Sequence, residues 1–442
     1  MSRKSERGAV FRRMLRNVGW LAGSRGFTGI VSLIYLAIAA RALGPQQFGS
    51  FTLVLTYAQL IGNLVQFQSW KGLIRYGAVH HAADDKVRLA RLFGFTATLD
   101  WMSAFVGFVL AVLCVPLVAP LLHWNPDDQQ TAALFGGFLL LTTGATASGM
   151  LRLFDRFDLL AYSEAAAPAV RLVGAALAWA LGGGVGAFLL VWAAAAAAQA
   201  LVQWAAALFA HRAPIAGGRA PFLAAMRENR RILRFMIQTN VANSLSLFWM
   251  QLGTLAVGSV AGPTEAGGFR IAQRFSKAIA KPVDPVTRVL YPELARLNAG
   301  GDQKTLRQIL LTVTAVAVLL AAVTVLATGF GGREILRLTV GPRYEFAHRF
   351  LFLLSIAAAI DLAGFGLEPF HNARGRSGRV LRSRAVGTLV YLALLALLLR
   401  DSRGEGAAIA AIGAASVIFV QLSLSAARML RRPAIEGVNR SI

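Results

Sequence analysis

A stripe of basic side chains lies within an otherwise apolar part of the chain. The stretch "FRIAQRFSKAIAKPVD" (269–284) contains Arg270, Arg274, Lys277, Lys281 and Asp284. These residues follow one another at steps of four, three, four and three. At about 100° per residue, these side chains occupy roughly one 80° arc of an α-helix. Guanidinium and ammonium groups are common donors to phosphate and carboxylate groups. The spacing therefore predicts a helix whose one cationic face can bind an anion.

These four cations, the cationic stripe hereafter, need a polar environment if their helix crosses a bilayer. A central Lys or Arg costs about 2.5–3.5 kcal/mol on insertion scales, so four that faced lipid would cost on the order of 10 kcal/mol. The acidic residues expected at membrane depth are few: Asp100, Glu164, Asp284, Asp361 and Glu368. We therefore expect the stripe, about 16 Å long at about 1.5 Å per residue, to line an aqueous cavity that accepts an anion.

Other polar residues recur at helical spacing on three further predicted spans. The candidates for substrate binding beside the stripe are Arg25 on the first span, Gln59, Asn63 and Gln66 on the second, and Asn240 and Asn243 on the seventh. Amide side chains can bind sugar hydroxyls, and they can equally form hydrogen bonds between packed helices. Both interpretations remain open for each amide.

The composition predicts that membrane-spanning helices carry these residues. The 442 residues are 56% hydrophobic and only 15% charged, with a mean hydropathy of +0.57, whereas soluble proteins carry about 25% charged residues. Twelve apolar segments of about 20 residues follow one another along the chain. The eighth, which holds the stripe, could instead lie on the membrane surface, but removing it would reverse the charge alternation of all later loops.

The net charge of +24 comes from short basic clusters between the apolar segments. That dispersion argues against a nucleic-acid-binding domain. With both termini inside, the seven predicted inside segments hold 32 of the 45 Lys and Arg residues. The positive-inside rule therefore predicts a multi-pass protein with both termini in the cytoplasm.

Two similar turns indicate an internal duplication. The segments "ALGPQQFGSF" (42–51) and "VAGPTEAGGF" (260–269) match at four positions, 218 residues apart. Gly can end one helix and Pro can begin the next, which explains a tight hairpin in each copy. The predicted organisation is a basic tail (1–16), a six-helix lobe (17–210), a basic linker (211–232), a second six-helix lobe (233–428) and a cytoplasmic tail (429–442).

The sequence resembles the oligosaccharide-lipid flippases of the O-antigen type, members of the superfamily that also holds multidrug exporters. The segments that carry the resemblance are "RGFTGIVSLIYLAIAARALGPQQFGSF" (25–51) and "VGPRYEFAHRFLFLLS" (340–355). It implies an all-α polytopic membrane protein with about twelve helices, in two pseudo-symmetric lobes around a central cationic cavity. It also implies that Arg25 and Arg270 or Arg274 face that cavity.

The resemblance further implies a polyprenyl-diphosphate-linked oligosaccharide as cargo in a bacterial cytoplasmic (inner) membrane. Membrane lipids and polysaccharide polymerase or export machinery are the other implied partners. We expect no enzymatic activity and no cofactor, because no nucleotide-binding P-loop or metal-spaced carboxylates occur in the sequence. Transport then needs an ion gradient, membrane potential or mass action, and the candidates for ion coupling are Asp100, Asp361 and Glu368. A salt bridge to the stripe is the alternative role of Asp361 and Glu368.

Two other functions remain open. A drug or ion-coupled exporter of the same fold would carry organic cations and should display acids where this chain displays bases. A membrane-embedded glycan polymerase or transferase usually needs a sizeable loop outside the membrane with carboxylates or His, and the longest loops predicted here are short.

The predicted topology can be tested with reporter fusions. Fusions at Asp128 and Gly184 should report an outside location, and one at Gly375 should report the cytoplasm, because the basic loops alternate with poorly charged ones. A cytoplasmic signal at Gly184 would contradict the twelve-span topology.

Overall fold

The computed structural model describes residues 3–210, 222–280, 303–399 and 404–431, together with the isolated positions 290, 294, 296 and 297. Within these residues the chain is helical and contains no strand. The first half contains α1 (Arg3–Val65), α2 (Ser69–Ala82), α3 (Lys86–Leu113), α4 (Val115–Leu122), α5 (Pro126–Gly136), a 3₁₀ segment (Gly137–Leu141), α6 (Ala145–Leu153), α7 (Phe157–Ala180), α8 (Val185–Ala210) and α9 (Phe222–Glu228). The second half contains α10 (Ile232–Ala280), α11 (Gln303–Thr339), a 3₁₀ segment (Pro342–Ala347), α12 (His348–Ala363), α13 (Leu367–Ala373), α14 (Ser377–Leu398) and α15 (Glu405–Arg431).

The described helices account for twelve membrane-length passes. Eight segments are long and apolar enough to span a bilayer, and one of these, Gly26–Ala82, contains two helices joined at a kink. Helix α7, with 24 residues, and the two halves of α10, which has 49 residues and a kink at Gly262, supply the other three by their length. The protein is thus an all-α polytopic membrane protein, as the sequence predicted.

The described chain forms two compact units. Unit 1 comprises residues 1–255 with 262–264, and unit 2 comprises residues 256–261 with 265–442. The predicted domain boundaries stay a prediction, because half of the predicted linker (211–221 of 211–232) and most of the C-terminal tail lie outside the described residues.

The two Gly-Pro turns have the same backbone geometry. Gly44 adopts φ 69° and ψ 172°, and Gly262 adopts φ 84° and ψ 177°. This region of conformational space is essentially restricted to glycine. The proline that follows each glycine begins the next helix, where its missing N–H is not needed. The backbone geometry of the two turns therefore agrees with the internal duplication that four matching residues indicate.

The fourth and tenth passes are both interrupted. In unit 1 the break precedes α6 at Gly144, with φ −88° and ψ 0°. In unit 2 it follows α12 at Gly364, with φ −89° and ψ 0°. The two glycines are 220 residues apart, close to the 218 of the Gly-Pro turns. The sequence analysis treated both passes as continuous and missed these breaks.

Each unit has its own apolar core, and its outer surface is also apolar. Leu73, Leu92, Met150 and Met236 are almost fully buried in unit 1, as are Leu306, Leu310, Phe370 and Leu422 in unit 2. Large apolar side chains are nevertheless exposed along many helices, for example Leu190 at 72% and Phe330 at 89%. Exposed apolar surface of this extent is expected where lipid replaces water as the surrounding solvent.

The Gly-Pro turns should tolerate no side chain. Gly44→Ala and Gly262→Ala should each lower the free energy of unfolding by about 1–3 kcal/mol, because alanine is strained in this backbone region. Thermal unfolding of the purified protein in detergent would measure the loss. Gly186→Ala is the matched control, because Gly186 lies within helix α8 and a Cβ there would meet nothing within 4 Å. Equal unfolding midpoints for all three variants would contradict the assigned strain.

Candidate functional site

The described part of the cationic stripe lies in the second half of α10, which begins after the kink at Gly262. Arg270 is only 5% exposed, whereas Arg274 and Lys277 are exposed. Lys281 lies outside the described residues. The stripe therefore runs along unit 2 from a buried arginine toward accessible cations.

The three described cations interact with one another. Arg274 acts electrostatically on Arg270, and both arginines act on Lys277. The Nη1 of Arg270 donates to the Oε1 of Gln273 at 3.4 Å, which fixes one edge of its guanidinium. Like charges at these spacings repel, so an anion that contacts them relieves the repulsion.

Two acids of unit 2, Glu368 and Asp361, differ in their partners. Glu368 accepts from the Nε and Nη2 of Arg384 in α14, at 2.8 and 2.7 Å. Asp361, in α12, interacts electrostatically with Lys277 and with Arg384, and makes no ion pair within 4 Å among the described residues. Arg270, Arg274 and Lys277 therefore form a cluster of like charges, and Asp361 is a carboxylate that acts on its Lys277.

The predicted amides of unit 1 take part in contacts between helices. The Nε2 of Gln251 donates to the Oε1 of Gln59 at 3.2 Å, and the Nδ2 of Asn240 donates to the backbone oxygen of Leu64 at 3.3 Å. Gln66 donates to the hydroxyl of Thr142. Asn63 is half-buried. These contacts give the amides a packing role, and sugar binding by them stays a prediction.

Two further predicted residues have no described side chain. Arg25 lies in α1 and Asn243 in α10, but only their backbones are described. The third coupling candidate, Asp100, is buried in α3 of unit 1 and accepts hydrogen bonds from Ser69 and from the backbone N–H of Thr146. The structure thus brings Arg270, Arg274, Lys277 and Asp361 together in unit 2, and it places Asp100 in the other unit.

The sequence analysis missed a cation–aromatic cluster in unit 1. The guanidinium of Arg171 lies 3.6 Å from the ring centroid of Trp192, and the Nε1 of Trp192 donates to the hydroxyl of Tyr35 at 2.6 Å. Glu164, which shares a helix with Arg171, forms its ion pair with Arg152 at 3.3 Å. A tryptophan face stabilises a desolvated guanidinium by roughly 2 kcal/mol. The spacing of Glu164 and Arg171 on one helix gave no indication of either partner.

Two Escherichia coli (strain K12) proteins are similar in sequence to this chain. An inner membrane protein, YghQ, is 28% identical over 346 residues, which cover 77% of this chain and 96% of that protein. A protein named only as a candidate O-antigen transporter is 20% identical over 396 residues, which cover 87% of this chain and 91% of its own.

Two solved structures share the fold. The inward-facing form of a multidrug resistance MATE transporter of the MOP superfamily superposes with a TM-score of 0.72 at 15% identity, covering 91% of this chain and 96% of that one. The inward closed form of the lipid II flippase MurJ superposes with a TM-score of 0.64 at 12% identity, covering 92% and 87%. At these identities the likeness shows the fold alone.

A family model agrees with the inner-membrane relatives and the transporter fold. The model described as "Polysaccharide biosynthesis protein" matches residues 14–298, about two thirds of the chain. The matched region contains both Gly-Pro turns and the whole cationic stripe. This chain, a multi-pass inner membrane protein whose fold is shared by a multidrug transporter and a lipid II flippase of known structure, belongs to the polysaccharide biosynthesis protein family.

Proposed function

We propose that the protein is a flippase that moves a polyprenyl-diphosphate-linked oligosaccharide across the cytoplasmic membrane, for envelope or exopolysaccharide synthesis. The observation that carries the proposal is the stripe: Arg270, Arg274 and Lys277 share one arc of a membrane helix and act electrostatically on one another. Membership of a polysaccharide biosynthesis family supports a saccharide as part of the cargo.

The chemistry of the cargo fits these side chains. A diphosphate carries several acceptor oxygens and negative charge, which arginine binds through two parallel N–H groups and lysine binds as a point charge. The exposed Arg274 and Lys277 offer the first contact, and the buried Arg270 offers a deeper one. The polyprenyl tail can stay in lipid while the headgroup crosses. We further propose alternating access between the two membrane faces, with both termini in the cytoplasm.

The proposal assigns no bond-breaking step to the protein. The structural likeness to a multidrug transporter makes export of an organic cation the second candidate. A cationic stripe disfavours that cargo, because like charges repel over the short distances within a site. Reconstituted protein distinguishes the three functions: the flippase delivers a chemically unchanged lipid-linked sugar, the exporter accumulates an organic cation, and a transferase alters the mass of the sugar chain.

Removing single cations of the stripe should abolish transport without reducing the amount of folded protein. Arg274→Ala and Lys277→Ala should lower headgroup translocation about tenfold or more, because each loses a charge-assisted contact to the diphosphate. Both side chains are exposed within their unit, so their loss leaves no cavity. Translocation is measured in proteoliposomes as accessibility of the sugar to an external glycosidase, and folded protein is measured by size-exclusion chromatography.

Arg333→Ala is the matched control, because Arg333 is an exposed arginine of α11 away from the stripe. It should translocate at the wild-type rate. Normal translocation by both Arg274→Ala and Lys277→Ala would contradict the proposed diphosphate contact. Loss of folded protein in both variants would instead indicate a structural role for the cations.

Geometry as well as charge should matter at Arg274. Arg274→Lys keeps the positive charge but loses the planar fork that binds two phosphate oxygens at once. We expect an intermediate rate between those of wild type and Arg274→Ala in the same assay. A rate equal to that of Arg274→Ala would show that charge alone does not restore function, and a wild-type rate would rule out bidentate binding at this residue.

A further inference from the structure

Asp100 lies at the middle of a membrane-spanning helix. It is the fifteenth of the 28 residues of α3, so about 20 Å of helix lies on either side of it at about 1.5 Å per residue. Its side chain is buried, with 5% of the residue exposed. Ionisable groups at this depth are rare and are commonly functional.

The Asp100 carboxylate joins the beginnings of two other helices. One oxygen, Oδ1, accepts from the hydroxyl of Ser69, which is the first residue of α2. The other, Oδ2, accepts from the backbone N–H of Thr146 at 2.8 Å, in the first turn of α6. Helices α2 and α6 each follow a break in a pass, at 66–68 and at 142–144. A single carboxylate therefore holds both breaks.

The two breaks also contact each other and a third helix. Gln66, in the first break, donates to the hydroxyl of Thr142 in the second. The Nε1 of Trp204, in α8, donates to the backbone oxygen of Thr143 at 3.0 Å. A Cβ at Gly144 would lie 2.0 Å from the Oε1 of Gln203, so α8 packs directly on the second break. Asp100 thus lies at a junction of interrupted helices, where a change in one hydrogen bond acts on three passes.

The charged side chains on the elements around Asp100 are directed to other partners. The hydrogen-bond partners of Asp100 that the structure describes are uncharged: Ser69 from α2, Thr146 from α6 and, on its own helix, Ser103, whose hydroxyl donates to the Asp100 backbone oxygen. Elsewhere on these helices the cations contact aromatic rings or acids. Lys71 lies over the ring of Trp70, and Arg75 lies over the ring of Phe235. Arg91 forms an ion pair with Glu228, and Arg152 forms one with Glu164. The Nε2 of His80 and the Oδ1 of Asn229 share a hydrogen bond of 2.9 Å.

We propose that Asp100 is a proton-binding site that couples transport to the proton gradient, which rests on the proposed flippase function. The other two coupling candidates are less suited, because Glu368 is paired with Arg384 and Asp361 acts on Lys277. Hydrogen-bond donors stabilise the ionised form of Asp100, and no described cation pairs with the carboxylate to keep it ionised. The proton enters from outside, binds one carboxylate oxygen and leaves to the cytoplasm, while the headgroup moves outward.

Protonation changes the hydrogen bonds at the junction in a defined way. The ionised carboxylate accepts from both Ser69 and Thr146, and these charge-assisted bonds are roughly twice as strong as neutral ones. A proton on Oδ1 turns this oxygen into a donor, so the Ser69 hydroxyl must accept and its own hydrogen must find another partner. The link between α3 and the start of α2 is then weakened, which frees the first break to move.

Infrared spectroscopy of the purified protein tests the proton site without any cargo. Wild type should show a carboxylic acid carbonyl band that titrates with pH and is absent in Asp100→Asn. Asp127→Asn is the matched control, because Asp127 is an exposed carboxylate at the start of α5, and it should keep the band. Ser69→Ala keeps the carboxylate but removes a donor to its ionised form, so the titration midpoint should move to higher pH.

A difference spectrum without a titrating band from Asp100 would overturn the proposal. If Asp100→Asn does not accumulate as folded protein, Ser69→Ala decides, and an unchanged midpoint in that variant would also overturn it.

Transport in proteoliposomes tests the coupling. An imposed proton gradient should raise the rate of headgroup translocation severalfold for wild type and for Asp127→Asn, and should leave the rate of Asp100→Asn unchanged. Wild-type translocation that ignores the gradient would overturn the coupling and leave the flippase function standing. If no lipid-linked sugar is translocated at all, the flippase function fails, whereas the infrared titration still decides whether Asp100 binds a proton.

Discussion

The hydrocarbon interior of a bilayer offers no hydrogen-bond partners, and most features of this protein follow from that constraint. Each polar group at membrane depth needs a partner within the protein or a wet surface. Glu368 has Arg384, Arg171 has the ring of Trp192, and Asp100 has a hydroxyl and a backbone N–H. The cationic stripe differs, because its three described cations repel one another. This repulsion is the physical basis for proposing an anionic cargo.

Interrupted helices satisfy the same constraint at a different scale. A break frees backbone groups, which need partners in the protein if they are not to face lipid. In unit 1 the side chains of Asp100 and Trp204 supply partners for the backbone groups of Thr146 and Thr143. The cost of a break is thereby offset, and the junction gains positions where the backbone can bend. Such junctions are suitable places for the hinge of an alternating-access transporter.

One fold can serve different chemistries. The solved structures that share the fold of this chain include a multidrug transporter and a lipid II flippase, so the fold does not by itself select a cargo. The side chains on that fold must make the selection. Here the stripe is basic, Glu368 is paired with Arg384, and Asp361 acts on Lys277. The charge of the site, together with membership of the polysaccharide biosynthesis family, supports a diphosphate-linked sugar.

The sequence by itself determined the features that depend on local pattern. Hydropathy gave the membrane class and the twelve passes, because a bilayer imposes a fixed length on each apolar helix. The Gly-Pro pairs gave the two kinks, because the required φ at Gly44 and Gly262 excludes other residues. The spacing of Arg270, Arg274 and Lys277 gave the stripe, because helical periodicity alone places them on one face.

Only the tertiary structure decided the contacts between distant residues. Thr146 is 46 residues from Asp100, and Gln251 is 192 residues from Gln59. Local periodicity carries no information about which helices pack together, so the sequence could show that Asp100 is buried in a span but could not show that it joins two broken helices.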